Sequence, residues 1–193
     1  SILALFLYFR KDFENVLKGL ISGLKQGHWG TSKGRLGLAI FIGTLPIIFV
    51  GMAIKIFWPG YESSPLRSVP VIAIVSILMA VLFALAERIG KRFKNLHMIK
   101  GKDGLVVGCA QVLALIPGVS RSGITLTASI FSGWKREDGA RFSFLLGVPA
   151  ITLAGLVEIK NAFFDATGES FFPLFIGILA SAVMSWLSID WLL

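Results

Sequence analysis

The chain has 193 residues, 55% of them hydrophobic and 16% charged, with formal net charge +8 and mean hydropathy +0.79. Soluble domains run at about 45–50% apolar and about 25% charged, so both values point to a membrane protein. Sixteen Phe exclude a disordered chain, and one cysteine, Cys109, excludes a disulfide scaffold. In so apolar a chain the basic excess reads as the cytoplasmic side of a membrane protein, with no nucleic-acid partner expected.

Residues 1–9 are apolar but shorter than the roughly 20 residues a span needs, and read as the end of a span that begins before Ser1. Next, Phe13, Val16, Leu17, Leu20, Ile21 and Leu24 recur at helical spacing, with Glu14, Asn15, Lys18 and Ser22 on the other face. This predicts an amphipathic helix over 13–25, interfacial on the cytoplasmic leaflet or, equally, packed on the bundle. Apolar runs then cover 36–58, 69–86, 142–159 and 171–189. At about 1.5 Å per residue, 18–23 residues reach roughly 27–35 Å, enough for a bilayer core of about 30 Å.

Between them, 105–117 and 123–134 are each too short to span. Joined as one helix they would reach about 45 Å and bury Pro117-Gly118 and Arg121 at mid-depth. Proline removes a helical hydrogen bond and glycine admits the turn after it, so 105–134 reads as a re-entrant helical hairpin. The charges agree. Arg10, Lys11, Lys18, Lys25, Lys33 and Arg35 precede the first full span, and Arg88, Lys91, Arg92, Lys94, Lys100 and Lys102 follow the second. Both segments belong in the cytoplasm. Lys135, Arg136 and Arg141 join them only if 105–134 returns to the side it left. The expected fold is an all-α polytopic membrane bundle, one domain over 1–193.

The informative stretch is Pro117-Gly118-Val119-Ser120-Arg121-Ser122-Gly123-Ile124-Thr125, at the hairpin tip. An arginine at bilayer depth costs about 2.5–3.5 kcal/mol on insertion scales, so it faces a cavity and a partner. Ser120 is placed to cap the second short helix, whose first amides and dipole favour an anion. The Arg121 fork grips phosphate oxygens, the hydroxyls of Ser120, Ser122 and Thr125 add donors, and Gly123 lets a bulky anion approach. Ser122, Thr125, Ser129 and Ser132 share one helical face turned inward; for Ser129 and Ser132 the favoured reading is tight helix packing. Cys109 reads as a small packing residue, Gln111 as a hydrogen-bonding residue inside the hairpin, and Glu87 as a helix-end group. No zinc-type spacing, Ser-His-Asp set or Walker loop is present. A transporter with a broken helix aimed at an anion fits these features as well as an enzyme does.

The tip matches the P-G-x-S-R-S-G-x-T motif, and the chain resembles the undecaprenyl-diphosphate phosphatase family of the bacitracin-resistance type. The likeness extends to Gly108-Cys109-Ala110-Gln111, Leu113-Ala114-Leu115, Ala140-Arg141-Phe142-Ser143-Phe144-Leu145-Leu146 and Val148-Pro149, and to Ser1-Ile2-Leu3-Ala4 with Arg10-Lys11. The resemblance implies an inverted repeat with two re-entrant hairpins in the bacterial plasma membrane. It implies a hydrolase that removes the terminal phosphate of undecaprenyl diphosphate in cell-wall synthesis. A divalent cation, Mg or Ca, and a homodimer are further expectations. The family's other motif, rich in glutamate and followed by serine and histidine, is expected upstream of Ser1 and with it the metal ligands; one more span is expected after Leu193. This chain would then supply the phosphate-binding half of the site, with Arg121 catalytic, and be inactive alone.

Overall fold

The computed structural model describes residues 7–8, 10–26, 29, 31–164 and 171–192. Seven α-helices lie among them: α1 Arg10–Gln26, α2 Ser32–Phe57, α3 Val69–Ile89, α4 Gly101–Gln111, α5 Arg121–Phe131, α6 Arg136–Phe164 and α7 Phe171–Leu192. The only β-pairing among the described residues is an isolated bridge between Lys94 and Trp134. The span end expected at 1–9 lies outside the described residues except for Leu7 and Tyr8.

Among the described residues, three stretches are long and apolar enough to cross a membrane: α2, α3, and α6 over Arg136–Leu156. Their surfaces suit lipid. On α3 only Ala86 is buried, while Ile74, Ile77, Leu78, Val81 and Leu85 are exposed. Such a surface would be untenable in water, where a contiguous apolar patch drives association. The described part of α7 is similarly apolar and exposed. The molecule is an all-α membrane helix bundle that crosses the bilayer more than once.

α1 packs on α2. Val16 is buried in the core, and Gly19 and Gly37 bring the two backbones together. The structure shows this amphipathic helix packed on the bundle along its Val16 face. Arg141 on α6 donates two hydrogen bonds to Asp12, at 2.5 and 3.2 Å. Leu17 and Ile21 remain exposed beside Lys18, so the outer face still suits an interface with headgroups.

The closest crossing is between α2 and α4. Cβ atoms added at Gly104 and Gly108 would lie 2.1 Å from the Ala39 carbonyl oxygen and 2.2 Å from that of Gly43. Two small residues spaced by four on each helix therefore meet backbone to backbone. Helices in lipid associate this way because no hydrophobic force separates their faces from the tails. This contact seats the hairpin.

The chain leaves for the hairpin and returns from it at one end of the bundle. The amides of Phe93 and Lys94 donate to the Gly133 carbonyl at 3.0 and 2.8 Å, and the Lys135 amide donates to the Lys94 carbonyl at 3.0 Å. Gly133 takes φ +88°, which a side chain would resist. Asp103 anchors the start of α4, accepting from the Lys100 amide at 3.0 Å and the Lys94 ammonium at 3.1 Å. Trp134, fully buried, stacks on Phe142 with centroids 5.9 Å apart. Glu87, at the end of α3, pairs with Arg92 and Arg136.

Candidate functional site

α4 stops because its last turn tightens. Residues Val112–Leu115 form a 3₁₀ turn, and Pro117 supplies no amide to continue it. The chain reverses at Gly118, whose φ of +93° suits glycine, and an added Cβ there would lie 2.7 Å from the Ile72 carbonyl oxygen of α3. Ser120 then caps α5. Its backbone is extended at φ −66° and ψ 120°, and its Oγ accepts from the Gly123 amide at 3.2 Å. The Ile124 amide donates to the Ser120 carbonyl at 2.8 Å. The cap takes the amide of Gly123, so the first-turn donors left for an anion are those of Arg121 and Ser122.

The Arg121 side chain crosses to α6 and lies against Gly147. A Cβ at 147 would be 1.3 Å from Nη1 and 2.4 Å from Nη2, so this side chain occupies the space a larger residue would fill. Nη1 is buried and has no hydrogen-bond partner among the described residues. A buried, unmet donor costs about 1–3 kcal/mol, more when charged, and an anion would recover it. Ser120 and Ser122 stand at the same helix start, their hydroxyl oxygens 3.5 Å apart.

Thr125 sits one turn deeper. It is fully buried, and its hydroxyl donates to the carbonyls of Arg121 at 2.9 Å and Ser122 at 3.2 Å. Thr127, Ser129 and Ser132 likewise return their hydroxyls to carbonyls four residues back, at 2.7–2.8 Å. Beyond Ser122, the inward stripe is therefore satisfied by its own helix, as hydroxyl residues in helices commonly are. Ser120, Ser122 and Gly123 thus share the start of α5, from which the Arg121 side chain extends to Gly147, with Thr125 one turn deeper.

An apolar cavity of about 150 Å³ adjoins Ser122 and Gly123, walled by Phe83, Leu126, Ala140 and Phe144, with Ser143 also on its wall. Gln111 is fully buried in the hairpin, yet neither its Oε1 nor its Nε2 has a partner among the described residues. Cys109 is exposed rather than packed, because α4 turns Gly104, Val107, Gly108 and Gln111 inward instead. His97 is exposed with Nδ1 3.2 Å from the Ser32 hydroxyl, while His28 and the side chain of Glu158 lie outside the description.

No three His, Cys, Asp or Glu side chains among the described residues come together to hold a cation. The groups around Arg121 are hydroxyls, amides and a guanidinium, which suit an anion. These residues do not by themselves fit the expected divalent cation.

Sequence reasoning missed Gly147 as the seat of Arg121. The available signal was a glycine in the middle of an apolar span, two residues before Pro149, since small residues there let another group approach closely.

The chain matches the family described as bacitracin resistance protein BacA over residues 1–193. It is 64% identical over its whole length to an undecaprenyl-diphosphatase of Prochlorococcus marinus strain MIT 9303, covering 66% of that protein. It is 63% identical to one of Synechococcus sp. strain WH7803, covering 68%, and 62% identical to one of Prochlorococcus marinus strain MIT 9313, covering 64%. The chain thus spans about two thirds of the length of these relatives. With a family match from its first residue to its last, the chain belongs to the bacitracin resistance protein BacA family.

Proposed function

We propose that the protein is an undecaprenyl-diphosphate phosphatase of the bacterial plasma membrane. The net reaction consumes one water and breaks the terminal anhydride P–O bond, giving undecaprenyl phosphate and inorganic phosphate. The observation that carries this reading is Arg121, held at a capped helix start with a buried, unpartnered Nη1. Relatives named for this activity along the whole chain support it.

The proposed division of labour follows from charge. Phosphoryl transfer needs mostly positioning and stabilisation of charge on the transferring oxygens. Arg121 and the amides of Arg121 and Ser122 supply that stabilisation, in a setting drier than water where such contacts are stronger. Ser120 and Ser122 add hydroxyl donors. The apolar cavity beside Ser122 and Gly123 suits the phosphate-proximal part of a prenyl tail. We read α4, the turn and α5 as a re-entrant hairpin in an inverted repeat, with its joined ends in the cytoplasm.

The test is release of inorganic phosphate from undecaprenyl diphosphate by the full-length protein in detergent. Arg121→Ala should lower kcat by at least about 10²-fold while the protein stays folded. A variant that turns over like the wild type would refute the role of Arg121.

A further inference from the structure

The tip is held from outside the hairpin by two side chains at chosen carbonyls. Leu115 would, in a continuing helix, give its carbonyl to the Val119 amide, but that amide turns to Ile116 at 3.1 Å. The Leu115 carbonyl accepts instead from the Tyr61 hydroxyl at 2.5 Å. The Gly118 carbonyl accepts from the Ser76 hydroxyl at 3.2 Å. Tyr61 belongs to the connection between α2 and α3, where its ring meets Trp58 edge to face with centroids 5.4 Å apart. Ser76 lies on α3, near the Ile72 and Val75 atoms that close over Gly118. Leu115 and Gly118 stand five and two residues before Ser120. A tip that slides carries the cap and the Arg121 backbone with it.

We propose that Tyr61 and Ser76 are positioning residues, whose hydrogen bonds to Leu115 and Gly118 fix the depth of the Arg121 helix start. This inference rests on the phosphatase reading, and neither residue is placed against the substrate. Positioning by these bonds acts on the transition state, where small misplacements are costly, more than on ground-state binding.

The experiment uses the full-length protein carrying Tyr61→Phe or Ser76→Ala. It measures kcat and KM for phosphate release, and hydrogen exchange in the segment 116–123. Each variant should lower kcat by about tenfold, the loss of one hydrogen bond of ordinary strength. KM should stay within about twofold of wild type, and exchange in 116–123 should quicken. Unchanged exchange in both variants, or a raised KM with intact kcat, would overturn the proposal. If the folded wild type released no phosphate, the phosphatase reading would fail by itself. Exchange would then decide alone: faster in the variants upholds the pin, unchanged overturns it.

Discussion

Gly108→Ala should push α4 off α2. The added Cβ would lie 2.2 Å from the Gly43 carbonyl oxygen and 2.5 Å from its Cα. Comfortable contact begins near ~3.5 Å, so the shortfall is about 1 Å or more against backbone, which has no rotamer to change. The helices must part along the whole Ala39–Gly43 and Gly104–Gly108 crossing. Overpacking of this kind costs about 1–3 kcal/mol, and the loss of close packing along the crossing places it at the upper end. Thermal unfolding in detergent should show a fall in Tm on the order of 5 °C. Gly51→Ala is the control on the same helix face-to-face system: its Cβ would meet only Leu115 Cδ2, at 3.9 Å. That variant should stay within about 1 kcal/mol of wild type, on the stabilising side, because alanine is the better helix former. Equal melting of the two variants would refute the argument that glycine at 108 serves backbone contact.

Gly118→Ala combines a φ of +93° with a Cβ 2.7 Å from the Ile72 carbonyl oxygen; it should destabilise by about 2 kcal/mol, and unfolding in detergent checks this. Asp103→Ala removes the acceptor for the Lys100 amide and the partner of Lys94, with the Asp103 side chain 8% exposed; a loss of about 2 kcal/mol is expected, with quicker hydrogen exchange at the start of α4. Gly147→Leu fills the space the Arg121 guanidinium occupies, so the full-length protein should lose at least about tenfold in kcat even if its Tm is unchanged. Wild-type turnover by that variant would mean that Arg121 works from a different position.

The hairpin was legible because two features exclude the alternatives. The runs 105–117 and 123–134 are too short to span, and Pro117-Gly118 cannot continue a helix. The Ser120 cap was legible because serine three residues before a free amide has one strong local use. What the residues did not disclose is partnership. Gly104 and Gly108 announce that something comes close, yet nothing in their spacing names Ala39 and Gly43. Arg121 announces a need for a partner, yet not that Gly147, 26 residues on in the sequence, makes its room. Tyr61 reads as an ordinary aromatic at a membrane boundary until the turn before it brings its hydroxyl to Leu115. Thr125 had the composition of a phosphate donor, but a helical hydroxyl also has a carbonyl four residues back, and that local bond is the one formed. For the helix over Arg10–Gln26 the periodicity fitted leaflet and bundle equally; the bundle contact, Asp12 with Arg141 and buried Val16, is visible only in three dimensions.

The central claim is that the Arg121 guanidinium stabilises the transferring phosphoryl group, and Arg121→Lys tests it most directly. Lysine keeps the positive charge and loses the planar fork that reaches past Gly147. Steady-state phosphate release from undecaprenyl diphosphate by the full-length protein should show kcat lower by about 10²-fold, with KM within about threefold of wild type. An unchanged kcat in a folded Arg121→Lys protein would contradict the account.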